Sequence, residues 1–201
     1  MRPFWADGSV STNCVTPEPI GCLPDGSQGL VSTNCGGGKL LMREKRTEYF
    51  LRLPGSPKPL IFSVKRRVSF SEVDVMGIVW FGRYSLYFEE AQRELGRYCG
   101  LSYQEFYKAN LRAPIVEFHT DYYQPLYLDE EFTIKASLVW SEGAKIYTEY
   151  LIIKEDKSIA TFAYTVQLLI DSNTKETCII SPELLERLRK RWLSGELDCR
   201  K

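Results

Sequence analysis

Histidine is nearly absent from this chain of 201 residues, which contains only His119. The six cysteines form no Cys-x-x-Cys pair, so a zinc site has little support and free thiols are the simpler interpretation. The 26 basic and 26 acidic side chains balance, which argues against a nucleic-acid partner. No apolar run approaches the ~20 residues of a membrane span, and no secretory signal opens the chain. These absences predict a cytoplasmic protein without a metal centre.

The composition divides the chain into four parts. Residues 1–41 are rich in Gly, Ser, Thr, Asn, Pro and Cys and hold few large apolar side chains, so we expect a low-complexity, disordered tail. Residues 42–60 contain Pro54, Pro57 and Pro59 and are interpreted as a connecting arm. Residues 61–175 then form the main domain, and residues 176–201 a C-terminal helix and tail.

Apolar periodicity becomes informative from Phe62, where an alternating segment predicts a strand that ends near Phe70. The next stripe has spacings of three and four and predicts a long helix: Phe81, Tyr84, Phe88, Ala91, Leu95 and Tyr98. Gly100 suits the helix end, and Ser102 with Glu105 fits a capping box for a short second helix.

The second half of the chain alternates with the period of a β-sheet. Segments 115–122, 132–140, 146–153 and 159–170 predict strands, and Ser181-Pro182-Glu183 predicts the start of a final helix. One long helix against an antiparallel sheet is an α+β domain. Because one helix covers one face only, the other face or an edge must be blunted or paired with another subunit.

Asp74 is the candidate catalytic group from spacing and residue type. It lies on the loop between the first strand and the long helix, where a carboxylate can meet the unpaired N–H donors of the helix start. On spacing alone an N-cap or Asx-turn residue is the favoured interpretation. No Gly-rich phosphate loop and no Gly-x-Ser-x-Gly motif offers another site.

The combined pattern resembles the hotdog-fold thioesterases of the 4-hydroxybenzoyl-CoA thioesterase type, including the YbgC-like acyl-CoA thioesterases. Four segments carry the resemblance: Asp74-x-x-Gly77-Ile78-Val79-Trp80 with Tyr84, Phe88-Glu89-x-Ala91, Gly100-Leu101-Ser102-Tyr103, and Tyr122-x-x-Pro125-Leu126 followed by Asp129-Glu130. It covers roughly residues 62–172 and implies an antiparallel sheet wrapped around one long helix.

The resemblance also implies a function and a site. It implies hydrolysis of acyl-CoA or acyl carrier protein thioesters by a homodimer or homotetramer that needs no cofactor. Asp74 would be the catalytic nucleophile or general base, and the backbone N–H of Phe81 would polarise the thioester carbonyl. Gly77 would let the loop approach the substrate closely, and Trp80 and Tyr84 would line the site.

Two departures from the family pattern leave alternatives open. Many relatives have histidine where this chain has Phe81, and Arg83 stands where asparagine is common. Arg83 is interpreted either as a contact for an acidic group of the substrate or as a solvated side chain. The alternatives to a thioesterase are a non-catalytic module that binds acyl chains or carrier protein, and a dehydratase centred on His119. A Cys99–His119 dyad is a further alternative.

Overall fold

The computed structural model describes residues 45–197, so the predicted tail over residues 1–41 lies outside the described part. Within the described residues there are seven strands and three α-helices: β1 Leu60–Arg67, α1 Tyr84–Cys99, α2 Tyr103–Lys108, β2 Leu111–Arg112, β3 Ile115–Tyr122, β4 Glu131–Val139, β5 Lys145–Lys154, β6 Ile159–Leu168, β7 Ile170–Asp171 and α3 Glu183–Leu193. Five strands form an antiparallel sheet in the order β1-β4-β5-β6-β3, and β2 pairs with β7.

Helix α1 lies on one face of the sheet and supplies the centre of the core. Its buried residues follow the predicted stripe: Tyr84, Tyr87, Phe88, Ala91, Leu95 and Cys99. The helix ends where Gly100 adopts a left-handed conformation with φ +82°, as the sequence predicted. The α+β class and the hotdog arrangement of one helix against one antiparallel sheet are confirmed.

The first strand and the long helix are both shifted from their predicted bounds. β1 ends at Arg67 because Ser69 starts a 3₁₀ turn, in which the Glu72 carboxylate accepts a hydrogen bond from the Ser69 N–H at 2.8 Å. Local capping therefore overrides the apolar alternation that continued to Phe70. The apolar stripe of the helix begins at Phe81, but Phe81–Arg83 form a 3₁₀ turn that leads into α1.

The face of the sheet opposite α1 is covered by the chain itself. Residues 45–53, here called the N-terminal arm, place the rings of Tyr49 and Phe50 in stacked contact with Tyr164 and Tyr147, with centroid distances of 3.9 and 4.5 Å. The buried Glu149 carboxylate accepts hydrogen bonds from the N–H groups of Tyr49 and Phe50 at 2.7 and 2.8 Å. The region interpreted as a connecting arm therefore includes a packed cover for the sheet.

Helix α3 packs into the same core as α1. Leu184, Leu185, Leu188 and Trp192 are buried on its predicted apolar side. The Trp192 indole N–H donates a hydrogen bond to the Lys58 carbonyl at 2.9 Å, which links the helix to the start of β1. No helix within residues 45–197 has the length and apolar character needed to cross a membrane.

Candidate functional site

Asp74 begins a tight turn at the tip of a small hairpin. Its Oδ1 atom accepts a hydrogen bond from the Met76 N–H at 2.8 Å, and its carbonyl accepts one from the Gly77 N–H at 3.0 Å. This is the Asx turn that was one interpretation of the sequence. It engages one carboxylate oxygen in a local bond and fixes the orientation of the other, so the turn geometry is compatible with a catalytic role.

Gly77 serves this turn through its backbone. It adopts φ +73°, a left-handed conformation in which a side chain is strained. A Cβ atom at this position would meet no atom within 4 Å. Within the chain, glycine is therefore required for conformation rather than for space.

The hairpin is held at both ends by backbone hydrogen bonds. The Asp74 N–H donates to the Ile78 carbonyl at 2.9 Å, and the Trp80 N–H donates to the Glu72 carbonyl at 3.0 Å. The Val79 N–H donates to the Leu126 carbonyl at 2.9 Å, which joins the hairpin to the segment that follows β3. Asp74 therefore lies in a hydrogen-bonded hairpin rather than in a loose loop.

Glu72 is a positioning residue that the sequence analysis missed. Its side chain accepts from the Ser69 N–H and pairs with Arg66 at 3.1 Å, and Arg66 also pairs with Glu90 of α1 at 2.7 Å. Burial, with the neighbouring Glu72 carboxylate as a smaller cause, raises the pKa of the Tyr87 hydroxyl above its usual value. The ion pairs of Arg66 therefore connect β1, the turn before the hairpin and the helix. The available signal was Ser69-x-x-Glu72, a capping-box spacing.

The start of the long helix supplies backbone donors. Phe81 opens the 3₁₀ turn that continues into α1, and the first N–H groups of a helix have no acceptor within it. The aligned peptide dipoles add positive partial charge at this end. The side chain of Phe81 is two-thirds exposed and tilts against Trp80 at a centroid distance of 4.9 Å.

A pocket of about 340 Å³ lies where the hairpin meets the helix start. It brings together four of the predicted site residues, Asp74, Trp80, Phe81 and Tyr84. Another part of the wall consists of the last residue of β3 and the three residues after it: Tyr122, Tyr123, Gln124 and Pro125. The Tyr122-x-x-Pro125 motif carries part of the family resemblance, but its place in the pocket wall was not predicted from the sequence.

Two tyrosines meet in the wall of this pocket. Tyr84 is buried and meets Tyr122 edge to face at a centroid distance of 5.0 Å. Burial raises the pKa of both hydroxyls above their usual values, so both are neutral at physiological pH. The Tyr122 hydroxyl is 3.4 Å from the Phe81 carbonyl oxygen, to which it donates a hydrogen bond. The pair can therefore offer aromatic surface and neutral donors, but no charge.

Gly77 and Arg83 do not line the pocket. The Arg83 guanidinium donates through Nη2 to the Ser71 carbonyl oxygen at 3.2 Å. It therefore ties the helix start to the turn before the hairpin. This bond shows that the side chain is not fully solvated, and the contact with an acidic group of the substrate stays a prediction.

His119 and Cys99 lie on opposite sides of the sheet. His119 pairs in register with Tyr164, stacks on its ring at 5.4 Å, and has Nε2 3.1 Å from the buried Asp121 carboxylate. Cys99 is buried at the end of α1, where burial raises the pKa of its thiol to about 12. Cys99 and His119 therefore form no dyad within one chain, and the carboxylate beside His119 is that of Asp121 on its own strand. Residues 45–197 contain no cluster of three or more His, Cys, Asp or Glu side chains that could hold a metal.

Comparison with known proteins identifies relatives that are named as an esterase or a hydrolase. A provisionally named esterase of Aquifex aeolicus is 32% identical over 99 residues, which cover 49% of this chain and 77% of that protein. A 1,4-dihydroxy-2-naphthoyl-CoA hydrolase of Crocosphaera subtropica is 25% identical over 138 residues, 67% of this chain and 97% of that protein.

Solved structures show the same fold. A DHNA-CoA thioesterase of Staphylococcus aureus superposes with a TM-score of 0.56 at 21% identity, covering 68% of this chain and 88% of that one. At these identities the likeness establishes the fold alone. The model of the thioesterase-like superfamily matches residues 68–188, a span that contains the hairpin, α1, every strand except β1, and the start of α3. The chain therefore belongs to the thioesterase-like superfamily.

Proposed function

We propose that this protein hydrolyses acyl-CoA thioesters, with Asp74 as the catalytic carboxylate and the Phe81 backbone N–H as the oxyanion donor. The observation that carries the proposal is that both residues line one pocket at the positive end of α1. The chain's membership of the thioesterase-like superfamily supports the reaction class. Names of relatives that act on CoA thioesters support the choice of coenzyme A as the carrier.

Two routes satisfy the chemistry of such a site. As a general base, Asp74 takes a proton from water while the oxygen attacks the thioester carbon, and the C–S bond then breaks to release a carboxylic acid and the CoA thiol. As a nucleophile, Asp74 forms a mixed anhydride and displaces the thiolate, and water then cleaves the anhydride. In both routes the developing oxyanion accepts a hydrogen bond from Phe81, a contribution typically worth ~10²–10³ in rate.

The pocket lining favours an aromatic acyl group. Five aromatic side chains line a space of about 340 Å³: Trp80, Phe81, Tyr84, Tyr122 and Tyr123. Aromatic rings stack on one another with stabilisation of about 0.5–1.5 kcal/mol per pair beyond the burial of area. We infer that arylacyl-CoA is hydrolysed faster than a long-chain acyl-CoA, and that an acyl carrier protein thioester is a secondary substrate.

We further propose a homodimer as the working unit, with β3 at the interface. β3 is an edge strand of the sheet. Its large apolar side chains are about half exposed: Ile115, Val116, Phe118 and Tyr122. Unpaired, apolar edge strands are rarely left open to water. Since Tyr122 also lines the pocket, a partner on this edge would lie beside the active site. The N-terminal arm already covers the outer face, which favours a dimer over a tetramer built by stacking sheets.

Release of free thiol from a panel of CoA thioesters tests the proposal most simply. The panel contains an arylacyl-CoA, a short aliphatic acyl-CoA, palmitoyl-CoA and one acyl carrier protein thioester. We expect turnover, with the highest kcat/KM for the arylacyl-CoA. Binding without thiol release from any member would favour the non-catalytic acyl-binding module. Release that is fastest with palmitoyl-CoA would overturn the aromatic preference but leave hydrolysis in place.

A further inference from the structure

The described chain holds a larger cavity than the pocket at Asp74. It is a groove of about 1220 Å³ between the C-terminal half of α1, helix α2 and the sheet. It begins at Gln92, eight residues beyond Tyr84, which is about 12 Å further along the helix axis at ~1.5 Å per residue. No residue lines both spaces. The groove is therefore a separate feature, larger than the ~300–1,000 Å³ typical of a small-molecule pocket.

The interior of this groove is apolar. Leu138 and Ile146 form part of the floor on the α1 face of β4 and β5, and Leu95 lies on the facing side of α1. All three side chains are at most 5% exposed, although each borders the open space. A preformed cleft with such walls suits an unbranched aliphatic chain, whose apolar surface would be removed from water.

Three polar side chains at the groove, Gln92, Tyr150 and Gln167, form a hydrogen-bonded chain. The Gln92 amide donates to Gln167, and its oxygen accepts from the Tyr150 hydroxyl at 2.9 Å. The Gln167 amide in turn donates to the Ala113 carbonyl oxygen at 2.6 Å. A hydrocarbon chain would therefore leave these side chains paired, whereas the buried Oγ of Ser172, which also lines the groove, has no hydrogen-bond partner within residues 45–197.

The rim of the groove is positively charged. Four basic side chains border it, Arg93, Arg97, Arg112 and Lys175, against one carboxylate, Asp171. Asp171 accepts from the N–H groups of the loop that follows it, and Arg93 and Arg97 pair with Glu94. Within residues 45–197 no carboxylate forms an ion pair with Arg112 or Lys175. Arg112 lies in β2, and Lys175 lies in the loop that follows its partner strand β7. An anionic group at this rim would meet two cations that pair with no carboxylate of residues 45–197, of which Arg112 donates to the Leu111 carbonyl oxygen at 2.8 Å and lies 5.6 Å from the centroid of the Tyr107 ring.

We propose that this groove binds an amphipathic anion, a long aliphatic chain with a terminal carboxylate or phosphate. The chain lies in the cleft under α2, and the anionic group meets Arg112 and Lys175. This site goes beyond thioester hydrolysis at Asp74 and does not depend on it, because binding requires no reaction. A fatty acid and an alkyl phosphate share the chemistry that the groove recognises, and the experiment separates them.

Fluorescence titration with cis-parinaric acid tests the proposal on the full chain. We expect saturable binding that palmitate and the alkyl phosphate of the same length both displace, with the tighter competitor identifying the anionic group. The alcohol of the same length should compete at least about tenfold less well, since it lacks the charge. The double variant Arg112→Glu/Lys175→Glu should weaken probe binding by about tenfold or more. Lys135→Glu, an exposed lysine on β4, is the matched control and should leave it unchanged.

A second variant tests the cleft itself. Ala113 lines the groove and is half-buried, and its contact with Gln167 uses the backbone only. Ala113→Phe should therefore fill the space and abolish probe binding. If this variant does not fold, the charge-reversal pair still decides the question. Absence of saturable binding, equal competition by the alcohol, or binding that is indifferent to Arg112→Glu/Lys175→Glu would overturn the proposal. Probe binding seen only after deletion of residues 1–41 would also overturn the proposal, because those residues would then be the occupant of the groove in the full chain.

Discussion

The indole ring of Trp80 lies against the backbone of Gly82, with Cζ3 only 2.1 Å from where a Cβ atom at Gly82 would stand. The absence of a side chain at Gly82 thus allows the indole to fold over the start of the helix. In this position Trp80 forms part of the pocket wall beside Phe81. The shape of the pocket therefore depends on a residue that the sequence analysis did not single out.

Gly82→Ala should displace the Trp80 ring and lower kcat/KM for the arylacyl-CoA by about tenfold to ~100-fold, because small misplacements at a reacting centre are costly. The backbone at Gly82 is not left-handed, so the melting temperature should change little. Gly143→Ala is the matched control, since a Cβ there meets no atom within 4 Å. Equal kinetics in the two variants would show that the position of the indole does not matter.

Arg83 should act through the loop rather than through the substrate. Its bond to the Ser71 carbonyl connects the helix start to the turn before Asp74. Arg83→Ala should therefore lower kcat more than it raises KM, and Arg83→Lys should restore part of the loss. Steady-state kinetics with the arylacyl-CoA measure both constants. A selective rise in KM would instead support a direct contact between Arg83 and the substrate, the interpretation that the sequence suggested.

Glu149 should anchor the N-terminal arm. Its carboxylate is 3% exposed and accepts from two arm N–H groups and from Arg52 at 2.6 Å. Glu149→Gln removes the charge from this cluster and should lower the free energy of unfolding by about 2–3 kcal/mol, a value reduced for the partial exposure of Arg52. Glu131→Gln removes an exposed pairing with Arg67 and should cost about 0–1 kcal/mol. Urea unfolding of both variants gives the comparison, and similar midpoints would contradict the anchoring role.

The β3 edge should mediate dimerisation. Val116 is 54% exposed on this strand, so Val116→Asp should introduce charge at the proposed interface and shift the protein toward monomer. Ile179→Asp is the control, because Ile179 is 95% exposed and lies outside β3. Sedimentation equilibrium at micromolar protein measures the mass. A wild-type mass equal to one chain would remove the dimer from the proposal.

The predictions that the structure confirms are those that depend on local periodicity. The stripe from Phe81 to Leu95 placed α1, and the single Gly100 after it placed the helix end, because both follow from helix geometry and backbone freedom. The alternation in 132–140 and 146–153 predicted both ends of β4 and of β5 to within one residue. The resemblance added the arrangement of these elements, which periodicity alone does not contain.

The features that sequence analysis missed depend on contacts between distant residues. The N-terminal arm carries only two aromatic side chains with partners about 100 residues away, and the prolines that follow it suggested a linker. Glu72 shows a capping spacing, but its pairing with Arg66 and the link from there to α1 appear only in the folded chain. The wall formed by Tyr122 and its neighbours likewise required the hairpin to dock against the segment after β3.

Asp74→Asn is the substitution that tests the catalytic assignment most directly. The amide oxygen of asparagine can still accept the Met76 N–H bond that the aspartate accepts at 2.8 Å, so the turn and the fold should persist. What disappears is the negative charge that either route requires. Asp74→Ala, which removes the turn bond as well, serves to separate the effect of the charge from that of the turn.

The decisive measurement is the rate of thiol release from the arylacyl-CoA by purified Asp74→Asn, with its melting temperature recorded alongside. We expect a melting temperature near that of the wild type and a loss of ~10²–10⁴ in kcat, the range typical of removing a general acid–base group. Near wild-type thiol release from the folded variant would contradict the assignment of Asp74 and, with it, the proposed mechanism.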